Sequence, residues 1–168
     1  MSLIVIAVVF VLMLAEARLS RVNERSLRAL GASEPHDDVY PVMQWAYPLC
    51  FVAMGIEGAL AGPAPGWRVV AGAAVFAAGK TIKYWAMALL GARWTFRVLV
   101  IPGAPLVTRG PYAWMRHPNY AGVMGEILGV ALMVGANVTG GLSTVGFGVL
   151  LHRRIAVEER ALGQERRS

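Results

Sequence analysis

Apolar residues are concentrated in five segments of the chain, and polar residues are concentrated between these segments. Each segment approaches the length of about 20 apolar residues that an α-helix needs to cross the hydrocarbon core of a bilayer. The pattern therefore predicts an all-α integral membrane protein with about five transmembrane helices. The predicted spans are residues 3–15 with an amphipathic continuation to 19, 42–61, 67–90, 120–136 and 138–152.

The connections between the spans differ in kind. The stretches 62–66 (GPAPG) and 137–141 (NVTGG) have the composition of tight turns, which predicts two helical hairpins, from spans two and three and from spans four and five. The first span ends in AEA at 15–17, which resembles a signal-peptidase site, but the two residues at its start lack the basic character of a signal peptide. We therefore expect a retained helix that extends beyond Glu16.

The composition excludes an ordinary soluble enzyme. The chain has 168 residues, of which 57% are apolar and 15% are charged, whereas soluble domains have about 45–50% and about 25%. A chain of this length could not bury so much apolar surface in one core that faces water. The single cysteine, Cys50, excludes an internal disulfide. The three histidines, His36, His117 and His152, lack the spacing of metal ligands, so we expect no metal site.

The positive charges lie in alternate connections. Arginines occupy residues 17–39, 91–119 and the tail after 152, while the two predicted turns carry neither lysine nor arginine. Basic connections usually face the cytoplasm, so with five helices the N-terminus is predicted outside and the C-terminus inside. Because topology accounts for the net charge of +6, we expect no nucleic-acid partner. Arg68 lies just inside the third span, and the arginines of the three basic segments are Arg18, Arg21, Arg25, Arg28, Arg93, Arg97, Arg109, Arg116, Arg153, Arg154, Arg160, Arg166 and Arg167.

The segment 106–120 is the densest in chemically active residues and directly precedes the fourth span. One interpretation is an interfacial anchor, which accounts for Trp114 and Arg109. It accounts poorly for His117 and Pro118. Proline suits the first turn of a helix, where free N–H groups and the helix dipole favour an anionic ligand. A ligand site and an anchor therefore both stay open at this point.

Ionisable residues inside the predicted spans are a second signal, because their burial in hydrocarbon is costly. Glu126 lies about two turns into the fourth span, and Lys83 lies at a similar depth in the third. We expect these two to pair, either along a cytoplasm-facing pocket or as a purely structural link between helices. Lys80, nearer the middle of the membrane, is left without a predicted role.

The tail after the fifth span supplies a third signal. On a helix, Arg154 and Glu158 share one face at positions i and i+4. A surface ion pair is the simplest interpretation, but arginine before glutamate is the weaker order, and an acidic residue near a helix C-terminus opposes the dipole. This arrangement slightly favours ligand binding.

These features together resemble the isoprenylcysteine carboxyl methyltransferase family, which is related to membrane phospholipid methyltransferases. The family pattern RHPxYxG is present as RHPNYAG at 116–122, and the pattern RIxxEExxL follows one hairpin later as RIAVEERAL at 154–162. Either half alone is a weak signal, but the order and the spacing of the two halves make the match specific. The strong resemblance covers approximately residues 94–162.

The resemblance implies transfer of a methyl group from S-adenosylmethionine to a lipophilic acceptor in a single domain of residues 1–168. That domain would combine helices 1–3 in 1–90 with a cofactor-binding core in 91–168, containing helices 4 and 5 and a C-terminal helix. Arg154, Glu158 and Glu126 would be catalytic. The implied cofactor-binding residues are Arg97, Ala104, Pro105, Leu106, Val107, Tyr112, His117, Pro118, Asn119, Tyr120 and Glu158.

The acceptor is less well defined than the cofactor. Eukaryotic members of the family have tryptophan at the position of Glu126 and continue well beyond the second motif, whereas this sequence ends six residues after Leu162. The resemblance to the bacterial branch favours an alkylated phenol or pyrone over a prenylated cysteine carboxylate, at a site facing the cytoplasm of a bacterial plasma membrane. A hydroxyl acceptor must lose a proton, and Glu126, Glu159 or His117 could assist.

Two other function classes remain open from the sequence. A sterol-reductase-like membrane enzyme resembles this family in its C-terminal helices and would use NADPH instead of S-adenosylmethionine. A membrane scaffold or sensor would retain the helices without catalysis. The expected partners of the methyltransferase are a lipophilic small molecule from the bilayer and the membrane lipid itself.

Overall fold

The computed structural model describes residues 2–101 and 103–165. Over these residues the chain forms five α-helices and two short 3-10 turns, at Gly91–Arg93 and Gly110–Ala113, and no strand is assigned. An isolated antiparallel bridge joins Ser33 to Val100. The predicted all-helical class is confirmed. The helices are α1 (Ser2–Ala29), α2 (Tyr40–Leu60), α3 (Gly66–Leu90), α4 (Pro118–Val134) and α5 (Val138–Glu165).

The first and last helices are longer than the predicted spans. The first apolar segment was expected to reach residue 19, but α1 continues to Ala29. A separate C-terminal helix was expected after the fifth span, but α5 runs without a break to Glu165. Neither extension contains a glycine or proline before residue 163 that would interrupt it. Arg166 and Arg167, two of the arginines that are predicted to face the cytoplasm, lie outside the described residues.

Two local features stabilise the turn between α4 and α5. Gly135 ends α4 with a φ of 75°, and its N–H donates to the carbonyls of Ala131 and Leu132. Glycine is favoured at a position with this left-handed conformation, because it has no Cβ that would clash. Glu57 of α2 accepts hydrogen bonds from the N–H groups of residues 137–139, at 2.7 to 3.0 Å. A carboxylate at a helix start satisfies free donors and complements the dipole.

The helices α3 and α4 pack with their backbones close together. A Cβ added to Gly79 would lie 2.8 Å from the carbonyl oxygen of Gly122, and one added to Gly129 would lie 2.6 Å from the amide nitrogen of Phe76. Small residues at these positions therefore allow the close approach. The buried core is centred on α4, whose Ile127, Val130 and Val134 are completely enclosed.

Helix α1 has the length and composition of a transmembrane helix. It has 28 residues and reaches a mean hydropathy of 2.3 over an 18-residue window, and only 11% of that window is buried by the rest of the protein. Helix α4 is also apolar but has 17 residues. Among the described residues, α1 is the helix that satisfies both criteria.

Candidate active site

A cavity of about 530 Å³ lies where the polar ends of several helices meet. Its wall is formed by α1, the first half of α2, the second half of α3, residues of the segments 93–100 and 112–117, the start of α4 and residues of α5 between 147 and 162. The extensions of α1 and α5 beyond their apolar parts contribute Ser20, Glu24, Arg154 and Glu158 to this wall. The two unexpectedly long helices therefore form part of the candidate site.

The two sequence motifs meet in this cavity. Pro118 begins α4 and His117 precedes it as the N-cap. The hydroxyl of Tyr120 donates a hydrogen bond of 2.6 Å to the Glu158 carboxylate and accepts one of 3.0 Å from Nε of Arg154. Arg154 and Glu158, one turn apart on α5, are thus linked through a single hydroxyl of α4.

His117 lies between the two glutamates of α5. Its Nδ1 is 3.6 Å from the Glu158 carboxylate and its Nε2 is 3.3 Å from the Glu159 carboxylate, while its ring stacks on Tyr120 at 5.5 Å. The Glu158 carboxylate raises the pKa of His117 against the opposing effect of burial. Burial raises the pKa of Glu158, but His117 and Tyr120 outweigh this effect and hold it below its usual range. The pair therefore favours an imidazolium beside a carboxylate.

This pairing predicts a pH-dependent contribution to stability. The pKa of His117 is raised in the folded state. Protonated His117 therefore stabilises the fold fully at pH values below the pKa of histidine in the unfolded chain, about 6.5. This contribution to stability is lost as the pH rises through the pKa of His117 in the folded state. We expect the Tm difference between the wild type and His117→Gln to be largest below about pH 6.5 and to shrink above it. Thermal unfolding in detergent measures this, and the trend should diminish when Glu158→Gln is present in both proteins, because Glu159 still contacts His117. A pH-independent difference would contradict the pairing.

All three guanidinium nitrogens of Arg154 donate hydrogen bonds. Its Nη1 donates to Asp38 at 3.1 Å, its Nη2 donates to the carbonyl of Phe96, and its side chain is 5% exposed. Asp38 also accepts hydrogen bonds from the N–H groups of Tyr40 at 3.1 Å and Val98 at 3.0 Å. Asp38 thus links the start of α2, the segment 94–100 and α5. Asp38 was not predicted from the sequence, where its position just before the proline at the start of α2 is the one signal of its role.

Arg97 also lines the cavity, but the protein's own groups surround it. Its Nη1 lies 2.6 Å from Glu34, its Nε lies 3.6 Å from Glu24, and its guanidinium lies 4.7 Å from the centre of the Tyr40 ring. Arg97 can therefore contribute to a ligand site mainly through the groups it positions, such as Glu24 and Tyr40 in the same wall.

The remaining predicted residues divide into two groups. Tyr112, Pro118 and Asn119 line the cavity, and Asn119 accepts a hydrogen bond of 3.1 Å from the Trp94 indole. The stretch 104–107 does not contribute to the wall, although the carbonyl of Pro105 accepts a hydrogen bond of 2.6 Å from Arg93, which does. Of these four residues, Pro105 and Leu106 are exposed, and Ala104 and Val107 are half-buried.

Glu126 also lies outside the cavity wall. It is 1% exposed and pairs with both lysines of α3, with Lys83 at 3.0 Å and with Lys80 at 2.9 Å. The predicted pair of Lys83 and Glu126 is confirmed. The fourth member of this cluster is Glu16 of α1, which contacts the same two lysines and was not predicted from the sequence.

Comparison with known proteins identifies the family. The sequence model of the isoprenylcysteine carboxyl methyltransferase (ICMT) family matches residues 71–164. The chain belongs to this family. It is 38% identical over 159 residues, or 95% of each chain, to the uncharacterized protein YpbQ of Bacillus subtilis (strain 168). No solved structure matches the chain significantly.

The ICMT match indicates a membrane methyltransferase. It covers both motifs and the lysines of α3, but it leaves out α1 and Asp38. The part of the cavity wall that α1 supplies therefore lies outside the residues that the family model matches.

Proposed function

We propose that this ICMT family member is an integral membrane O-methyltransferase that transfers a methyl group from S-adenosylmethionine to a lipophilic acceptor. The observation that carries the proposal is the meeting of the two motifs through Tyr120, whose hydroxyl contacts Glu158 at 2.6 Å and Arg154 at 3.0 Å. Residues more than 30 positions apart thereby form one polar corner of a cavity large enough for a small ligand.

The residues of this corner suit the proposed cofactor. S-adenosylmethionine supplies an electrophilic methyl group on a sulfonium and carries an amino and a carboxylate group. The Glu158 carboxylate would hold the amino group, and the start of α4 would hold the carboxylate, since the positive end of the helix dipole favours an anion there. The face of Tyr112 is available to a cationic sulfur. Methyl transfer is an in-line displacement, so these residues act chiefly by positioning.

The other end of the cavity suits a lipophilic acceptor. Phe10, Met13 and Leu14 of α1 line the cavity together with Met43 and Pro48 of α2. Leu14 lines the cavity and is 63% exposed, which supports an opening of the cavity beside α1. We infer that an alkylated phenol or pyrone, or a lipophilic carboxylate, enters here from the bilayer with its reactive oxygen directed towards Arg154.

The outer surfaces of the helices support a position across the membrane. Large apolar side chains are exposed along one stripe of α2 and along one stripe of α5, each with a spacing of three or four residues that is typical of one helix face. Such stripes would be unfavourable in water but suit lipid. We propose five transmembrane helices with the cavity at the cytoplasmic side of a bacterial plasma membrane. The stripe residues are Trp45, Leu49, Val52, Ile56 and Leu60 on α2, and Val138, Leu142, Val145 and Val149 on α5.

Ligand binding and methyl transfer by the purified chain test this function. In detergent, we expect calorimetric binding of S-adenosylhomocysteine and no comparable binding of NADPH. Labelled S-adenosylmethionine and a bacterial lipid extract should then give a labelled, organic-soluble product. Binding of NADPH alone would favour the sterol-reductase class, and binding of neither compound would favour a scaffold or sensor.

A further inference from the structure

Four buried charges form a closed cluster beside the cavity. Glu16 contacts Lys80 at 2.6 Å and Lys83 at 2.5 Å, and Glu126 contacts the same two lysines at 2.9 and 3.0 Å. The four side chains are between 1% and 10% exposed. Positive and negative groups alternate around this ring, which we call the charge quartet, and its formal charge is zero. It ties together α1, α3 and α4.

The quartet reaches the cavity through two residues. Lys83 belongs to both the quartet and the cavity wall. Tyr47 of α2 is also in the wall, and its hydroxyl donates a hydrogen bond of 2.7 Å to Oε2 of Glu126. Tyr47 therefore joins a buried carboxylate to the space that an acceptor would occupy.

A purely structural role accounts poorly for this arrangement. Buried ion pairs contribute little net stability, because desolvation of the charges offsets their attraction, and well-packed apolar residues often replace them without loss. Ionisable residues within membrane helices more often mark a functional path. Along α4, Glu126 lies six residues beyond Tyr120, a rise of about 9 Å. This distance leaves room for the aromatic ring of an acceptor between the charge quartet and the polar corner formed by Tyr120, Arg154 and Glu158.

We propose that Tyr47 and Glu126 form a proton relay for a hydroxyl acceptor, an inference that rests on the proposed methyltransferase function. The acceptor O–H bond breaks as its proton passes to the Tyr47 oxygen, while the proton of Tyr47 passes to Oε2 of Glu126. The acceptor oxygen forms a bond to the methyl carbon, and the carbon–sulfur bond breaks with its electron pair left on sulfur. One positive charge disappears from the sulfonium as the quartet gains one, so the net charge of the site is conserved.

Two alternative proton acceptors that the sequence suggests, His117 and Glu159, are less suitable. His117 is held between two carboxylates with its pKa raised, which favours the form that cannot accept a proton. Glu159 is 44% exposed and pairs with Arg116 at 3.0 Å. The groups that face the relay are Glu16 from α1, Cys50 from α2 and the two lysines from α3, while α5 contributes the apolar ring of Phe147.

Tyr47→Phe tests the relay, because it removes one hydroxyl and retains the ring that packs on Phe51 and Phe147. The acceptors are pentadecylphenol, which must lose a proton, and palmitate, which is already ionised. We expect kcat with the phenol to fall about 100-fold, while S-adenosylhomocysteine binding and turnover of palmitate stay unchanged. The loss should diminish at high pH, where the phenol ionises without help. Glu126→Gln should show the same preference for palmitate.

A binding measurement provides a readout that does not depend on turnover. A long-chain alkyl nitrophenol changes its visible absorbance on ionisation, and we expect its bound form to ionise at a lower pH in the wild type than in Tyr47→Phe. Equal losses with both acceptors, or an unchanged phenol rate in Tyr47→Phe, would overturn the relay and leave the methyltransferase intact. A wild type that binds no S-adenosylhomocysteine would overturn both proposals.

Discussion

Glu158→Gln is expected to weaken the binding of S-adenosylhomocysteine about 10- to 100-fold without unfolding the protein. Glutamine has the same shape and can still accept the hydrogen bond from Tyr120, which is 2.6 Å long in the wild type. It lacks the negative charge that would hold an amino group. A hydrogen bond to a charged group contributes about 1.5–3 kcal/mol, and each 1.4 kcal/mol is about a factor of ten in Kd. Calorimetry on the purified protein in detergent measures the change.

The neighbouring glutamate is a matched control. Glu159 follows Glu158 on α5 and contacts His117 and the exposed Arg116, but it does not itself line the cavity. We expect Glu159→Gln to leave the Kd within about twofold of the wild type, because exposed ion pairs contribute about 0–1 kcal/mol or less. If both variants bind S-adenosylhomocysteine equally well, Glu158 does not hold the ligand.

The helices could be predicted from the sequence because their signals are local. Apolar segments of suitable length and proline at the start of α2 and α4 lie within the helices themselves. The ends of α1 and α5 were the exception, because apolar character stops at the edge of the predicted span while helical backbone continues. In these extensions helix propensity persists, and the contacts of Asn23 with Trp94 and of Arg154 with Asp38 stabilise the added turns.

The site was predictable only where its residues are close in sequence or belong to a family motif. The motif residues His117, Tyr120, Arg154 and Glu158 meet as the resemblance implied they would. Asp38 was not found, because its partner Arg154 lies 116 positions away and no pattern in the chain connects them.

Glu16 shows the same limitation in a stronger form. In the sequence it is a single acidic residue at the end of an apolar segment, and Lys80 has no partner within its own helix. Their contact depends on α1 packing beside α3, which periodicity alone does not predict. The depth of Lys83 and Glu126 could be compared because each lies a countable number of turns from a predicted helix end.

Asp38→Asn is expected to lower the free energy of unfolding by about 3 kcal/mol or more, because breaking a buried ion pair leaves the other charge without compensation. The Asp38 and Arg154 side chains are 4% and 5% exposed. Asparagine has the same size but no charge, so Arg154 would lose its nearest carboxylate and keep only uncharged hydrogen-bond partners, among them Tyr120 and Phe96. Reversible unfolding in mixed detergent measures the difference. Methyl transfer should fall as well, because Asp38 positions Arg154 at the cavity.

The adjacent Asp37 is a matched control, because it also pairs with an arginine but its side chain is exposed. Asp37 pairs with Arg160 at 2.6 Å, a shorter distance than the 3.1 Å between Asp38 and Arg154, but its side chain is 54% exposed and that of Arg160 is 63% exposed. Asp37→Asn should therefore cost less than about 1 kcal/mol. If Asp37→Asn lowered the free energy of unfolding as much as Asp38→Asn, burial would not determine the contribution of these ion pairs. Asp38 would then not be the link that holds α2, the segment 94–100 and α5 around the cavity.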